Sequence, residues 1–141
     1  MTPLSTPDIT MFDFTDTQLF THLSQASDAA LDALAFGVIG FNETGAITRY
    51  NRFEAEVTGL NQARQIGKDL FTEVAQCMNN YLVAQRFDDA LDNHESLDAT
   101  LDYVLTWRMK PSQVQLRLLA EPTSTTRYIA LTPRTYRDHR P

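Results

Sequence analysis

The stretch Ala35-Phe36-Gly37-Val38-Ile39-Gly40-Phe41, then Asn42-Glu43-Thr44-Gly45, then Ala46-Ile47-Thr48-Arg49-Tyr50 decides how the rest of the chain is read. Two short apolar-rich runs parted by a tetrapeptide of turn formers make a β-hairpin, with Gly45 placed to take the positive φ that closes it. The next residue, Asn51, is a good N-cap. It opens a short helix running to about Val57, which Gly59 can end at a left-handed position. A strand therefore passes straight into a helix at Tyr50-Asn51.

Upstream, residues 1 to about 14 carry prolines and threonines with little periodicity and read as an arm. From Thr15 to about Leu34 the apolar residues Leu19, Phe20, Leu23, Ala26, Ala30 and Leu34 recur at helical steps, with Thr15 or Asp16 as a cap. Ser27 and Asp28 break this run into two short helices. Downstream, residues 61–65 and 69–76 read as helical turns, the second capped by Asp69 ahead of Leu70, Phe71 and Val74. A longer helix fits 81–93, with Leu82, Phe87, Ala90 and Leu91 as its stripe. Extended segments follow at roughly 97–108, 112–121 and 125–133, with Pro111 and the stretch from Glu121-Pro122 to Thr126 in their turns. Strands gathered at both ends of a helical block, without alternation, predict an antiparallel α+β domain.

Composition narrows the function. The chain has 141 residues, 43% of them hydrophobic and 21% charged, as expected of one globular domain. A formal net charge of -6 argues against nucleic acid or an anionic membrane as partner. No apolar run approaches the roughly 18 residues of a spanning helix, and the N-terminus lacks the pattern of a signal peptide. A single cysteine, Cys77, excludes an internal disulfide, and His22, His94 and His139 show no ligand spacing, so no metal is expected. A soluble, cytoplasmic protein is the expectation.

Chemistry concentrates at the strand-to-helix corner. Glu54 and Thr58 stand four apart on one helix face, and Tyr50 can approach both. A phenol, a carboxyl and a hydroxyl converging there would suit a charged oxygen atom. Spacing alone favours the plainer reading, an exposed helix with Glu54 and Glu56 in solvent. Cys77 by itself reads either as a small buried hydrophobe or as an activated thiolate.

The segments Leu31-Asp32-Ala33-Leu34-Ala35-Phe36-Gly37, Ile47-Thr48-Arg49-Tyr50-Asn51 through Glu54 to Val57-Thr58-Gly59, Ile66-Gly67-Lys68 and Val74-Ala75-Gln76-Cys77 together resemble the photoactive yellow protein family. These are small bacterial blue-light receptors with a PAS fold, and similar matches continue at Tyr103 to Met109, Pro111 and Val114. The resemblance spans about residues 23–133. It implies a central antiparallel five-stranded sheet with short helices on one face and an N-terminal helical cap. On that reading residues 1–33 are arm and cap, 34–134 the PAS core and 135–141 a tail.

The resemblance also implies roles. Cys77 matches the cysteine that holds p-coumaric acid (4-hydroxycinnamic acid) as a thioester. Tyr50 and Glu54 match the partners of its phenolate oxygen, and Thr58 the hydroxyl that supports the tyrosine. Ile39, Leu60, Leu70, Val74, Leu105 and Met109 fall at the pocket wall. Light would isomerise the pigment, Glu54 would surrender its proton, and the cap would be released toward a downstream protein whose identity is unknown. Such a chain is a sensor and not an enzyme.

Two departures from the family pattern matter. Leu60 stands where an arginine usually covers the phenolate end, leaving Arg64, Arg52 or Arg49 as substitutes. Gln76 replaces a proline ahead of the cysteine. The competing reading is a PAS module that binds another small molecule, or that mediates protein interaction, without the pigment. Redox sensing by Cys77 lacks a second cysteine to resolve it.

Overall fold

The expected hairpin forms from β1 (Gly37–Phe41) and β2 (Ile47–Tyr50), with Ile39 opposite Tyr50 and a bulge between Gly40 and Phe41. Gly45 closes it at φ 92°, and Asn42 Oδ1 accepts from the Thr44 and Ala46 amides. This computed structural model describes residues 12–107 and 110–134. The first part of the predicted arm, Met109 and the tail lie outside them.

β3 (Leu97–Trp107), β4 (Lys110–Ala120) and β5 (Arg127–Pro133) complete a five-stranded sheet in the order β2-β1-β5-β4-β3. Every described neighbour pair is antiparallel. Pro111, expected in a turn, lies inside β4 opposite Thr106. Only β3 flanks the strand there, because pairing with β5 begins at Val114, so a missing amide is tolerated.

The sheet is covered on both sides, which is why every residue of β1 is buried. One face packs Ile39, Tyr50, Leu70, Val74, Met78, Phe87, Leu105 and Leu116 into a single core. Its helices are α3 (Arg52–Thr58), α4 (Gln62–Gln65), a π-helical turn (Leu70–Val74), a 3-10 turn (Gln76–Met78) and α5 (Ala84–Asn93). On the other face, α1 (Leu19–Gln25) and α2 (Asp28–Asp32) bury Leu19, Leu23 and Leu31 against Val38, Leu119 and Tyr128. Each such leucine contributes roughly 2 kcal/mol by leaving water. Short helices on one face and an N-terminal cap on the other match the expected architecture.

Caps explain most helix boundaries. Ser27 Oγ accepts from Ala30 N, which separates α2 from α1 as anticipated, and Asn51 Oδ1 accepts from Glu54 N. Gly59 ends α3 at φ 76°, and Asp69 Oδ1 accepts from the Phe71 and Thr72 amides. Neither Thr15 nor Asp16 caps α1. Its N-cap is Gln18, and Asp16 Oδ1 is spent on the Gln18 amide one turn earlier. On α5 the buried stripe is Val83, Phe87 and Ala90, while Leu82 and Leu91 are exposed. Asn80 Oδ1 accepts from the Leu82 and Val83 amides in the turn ahead of α5, and the helix begins only at Ala84, so Leu82 falls outside its buried face.

Candidate functional site

α3 is aimed by Asn51, whose side chain is fully used in the interior. Its Oδ1 accepts from Val38 N at 2.9 Å as well as from Glu54 N, and its Nδ2 donates to Leu31 O and Phe36 O. That ties the first turn of α3 to β1 and to α2 of the cap. The cap to Glu54 N is the part legible from sequence; the other bonds depend on tertiary neighbours, and together they leave Asn51 no free group with which to join Tyr50, Glu54 and Thr58 in holding a bound molecule.

With α3 so placed, Glu54 and Thr58 turn inward and Tyr50 meets them. All three are buried, at 3%, 3% and 4% exposure. Tyr50 Oη lies 3.1 Å from Thr58 Oγ1, and Thr58 Oγ1 donates to Glu54 O at 2.9 Å. A threonine hydroxyl has one proton, so with that proton on Glu54 O the tyrosine is the donor in the Tyr50–Thr58 bond. The exposed-helix reading of Glu54 therefore does not hold.

Burial pushes the Glu54 carboxyl up to about 7 from 4.5. Tyr50 is pushed above its ordinary value, first by burial and then by the neighbouring Glu54 charge, with the Thr58 bond opposing. No described residue hydrogen-bonds the Glu54 carboxyl. Its room comes from Gly37 on β1, where a β-carbon would stand 2.2 Å from Oε1. The sequence reading placed Gly37 only in a strand.

Cys77 sits in the 3-10 turn, half-buried, against the same core that contains Tyr50, Ile39, Leu70, Val74 and Leu105. Leu60 is partly buried and packs on that core as well. Five of the six expected wall residues thus line one apolar body, and the sixth, Met109, lies outside the described residues. Gln76 is exposed and donates to Thr72 O at 2.6 Å, so it fastens the π-helical turn where the family carries proline. A separate cleft of about 360 Å³ opens beside α2 and α4, lined by Asp28, Arg49, Tyr50, Gln62 and Ile66, and contains neither Cys77 nor Glu54.

Arg49 does not stand in for the missing arginine. Its guanidinium donates to Leu23 O at 2.8 Å, to Ala26 O at 2.5 Å, to Asp28 and to Tyr128 Oη, all on the cap face. Arg52 and Arg64 are exposed.

The residues present fit a phenolate-bearing thioester: a thiol at one side of an apolar core, a phenol, and a buried carboxyl with no hydrogen-bond partner among the described residues. Comparison with known proteins agrees with the architecture. A model of the PAS fold matches residues 26–140. Photoactive yellow protein of Rhodothalassium salexigens is 33% identical over 108 residues, which is 77% of this chain and 86% of that one. The protein of the same name from Halochromatium salexigens is 33% identical over 96 residues, covering 68% of this chain and 76% of that relative. Among solved structures, the photoactive yellow protein domain of the sensor histidine kinase Ppr from Rhodospirillum centenum superposes with a TM-score of 0.73 at 34% identity, covering 79% of this chain and 97% of that domain. The chain belongs to the photoactive yellow protein family of PAS-fold proteins.

Proposed function

We propose that this protein is a blue-light photoreceptor carrying p-coumaric acid as a thioester on Cys77, with Tyr50 and Glu54 receiving the pigment's phenolate oxygen. Glu54 is the observation that carries this reading. A carboxyl that is 3% exposed, pushed up to about 7 and without a hydrogen-bond partner among the described residues is a donor lacking its acceptor. Neutral polar groups are buried at a cost unless paired, and a bond to an anionic oxygen is about twice as strong as a neutral one. Cys77 would hold the acyl carbon, and Ile39, Leu60, Leu70, Val74, Leu105 and Met109 would exclude water around the ring.

The pigment supplies light absorption and a double bond whose geometry changes on excitation. The remaining chemistry belongs to the chain. In the dark Glu54 keeps its proton, and Tyr50 turns its hydroxyl from Thr58 toward the bound oxygen. Thr58 in turn releases Glu54 O and donates to Tyr50 Oη. After light Glu54 would pass its proton to the phenolate oxygen and be left as a carboxylate in the interior, at a cost of several kcal/mol. The first turn of α3 is joined to the cap through Asn51 and Leu31 O, so disturbance at Glu54 loosens α1 and α2. The released cap is the signal to an unidentified downstream protein in the cytoplasm. Nothing is turned over.

Expression with an activated p-coumaric acid donor, followed by intact mass and a visible spectrum, tests this. An adduct with a bleachable blue band, both lost in Cys77→Ala, is expected. Leu60, which offers neither cation nor donor, favours the second reading of a PAS ligand-binding or interaction module without the pigment. An unmodified, colourless protein would establish that reading instead.

A further inference from the structure

The backbone carbonyl of Cys77 is held by two side chains that the functional reading leaves unused. Tyr103 Oη, from the edge strand β3, donates to Cys77 O at 2.5 Å. Asn80 Nδ2 donates to the same carbonyl at 3.1 Å and to Tyr103 Oη at 2.6 Å. The proton order is complete: the amide carries two hydrogens, one for each oxygen, and the phenol passes its own to the carbonyl. Asn80 Oδ1 is meanwhile fixed by the Leu82 and Val83 amides in the turn that leads into α5. The ring joins the 3-10 turn, the turn that leads into α5, and β3, and its members are only partly exposed. Bonds in such a chain polarise one another and strengthen together.

We propose that Tyr103 and Asn80 are positioning residues for pigment attachment. They immobilise the peptide that bears Cys77, so that the thiol is presented at one fixed place and the turn cannot follow a change of shape beyond the sulfur. This rests on the thioester reading above. A rigid turn directs strain from isomerisation toward the Tyr50–Glu54 end and keeps the illuminated state high in energy. A turn freed from β3 yields instead, relieves that strain and lowers the illuminated state relative to the barrier for thermal return.

Tyr103→Phe removes one hydroxyl and keeps the ring. Asn80→Asp keeps the acceptor for the Leu82 and Val83 amides but loses both donors, and its carboxylate diverts the Tyr103 proton from Cys77 O. In the pigment-free proteins, amide hydrogen exchange across residues 76–79 should rise at least tenfold in both variants, with cap amides unchanged. In the pigmented proteins, thermal recovery of the visible band should slow at least threefold, while the band itself moves less than in Glu54→Gln. Asn80→Asp serves if Tyr103→Phe does not fold. Unchanged exchange at the turn in the pigment-free variants, or an unchanged recovery rate in the pigmented ones, overturns the positioning role alone. Absence of any adduct in the unsubstituted chain overturns the photoreceptor reading and the positioning role with it.

Discussion

Glu54 occupies the space that a side chain at Gly37 would need: a β-carbon there would lie 2.2 Å from Glu54 Oε1 and 3.3 Å from Cδ. The strand and the helix approach so closely because Asn51 bonds both of them, to Val38 N on one side and Glu54 N on the other. Neither backbone can retreat without breaking a buried hydrogen bond. Gly37→Ala should therefore eject the carboxyl or spread α3 from β1, at a cost of about 1–3 kcal/mol. A fall in thermal midpoint together with loss of the blue band on reconstitution is expected. A variant with the parent's stability and spectrum would show that the carboxyl has another place to go.

The same burial gives a pH dependence in the pigment-free chain. The folded-state value for Glu54 is about 7 against 4.5 unfolded, so between these values the folded state binds more protons. By linkage, Glu54's stabilising contribution is complete below 4.5 and is lost as pH rises through about 7. The loss is on the order of 3 kcal/mol. Urea unfolding from pH 4.5 to 8 should show this decline in the parent, and a flatter profile in Glu54→Gln. A decline of equal size in the variant would assign it to other groups.

The pigmented form offers a sharper test of Glu54. Glutamine keeps a donor to the phenolate but has no proton to surrender. Glu54→Gln should thus retain the pigment, absorb to the red of the parent, and show no carboxyl protonation change by infrared difference spectroscopy after a flash. A proton-transfer signal that survives in the variant would remove Glu54 from the role assigned to it.

What could be read from the sequence followed from short-range rules. Gly45 and Gly59 announced their positive φ, and Ser27, Asn51 and Asp69 announced helix starts, because each acts within four residues of itself. The convergence of Tyr50, Glu54 and Thr58 followed from helical spacing plus one corner, although spacing did not reveal whether the helix face was buried. That depends on Gly37, 17 residues away, which carries no local signal. The Arg49 bonds to Leu23 O and Ala26 O, and the Tyr103 bond to Cys77 O, were equally invisible. They reach backbone carbonyls, which every residue possesses, so no partner identity marks them in the chain. Pro111 misled for a related reason: an edge position that excuses a missing amide exists only once the strand order is known.

Thr58 ranks next among the site residues. Its Oγ1 is bonded to Tyr50 Oη, Glu54 O and, at 3.3 Å, Leu60 N. Thr58→Val keeps the shape and removes all three partners, leaving a buried phenol unpaired in the pigment-free chain. A loss of roughly 1–3 kcal/mol in unfolding free energy is expected. In the pigmented chain Tyr50 loses its supporting donor, so its bond to the phenolate weakens and the absorption band should shift. An unshifted band would mean that Tyr50 is oriented without Thr58.

Besides the apolar contacts of Leu19, Leu23 and Leu31, two arginines fasten the cap to the sheet through its backbone carbonyls. Arg117 Nη1 donates to Phe14 O at 2.9 Å and Asp16 O at 2.7 Å, while its other nitrogens pair with Asp98. Arg49 holds Leu23 O and Ala26 O at the other end of α1. These carbonyls can turn to water when the cap leaves, whereas the guanidinium groups stay on the sheet, so the contacts are reversible without leaving a buried orphan on the cap. Substituting Arg49 by Ala should weaken cap docking by roughly 2 kcal/mol, the worth of hydrogen bonds from a charged donor. Hydrogen exchange should then accelerate by tenfold or more for amides of α1 and α2, with β1 and β5 amides unaffected. If the cap is the element released by light, the same variant should also reach its illuminated cap exposure at a lower light dose. Uniform acceleration across the sheet would instead mean that cap and core unfold as one unit, and that no local release is available to carry a signal.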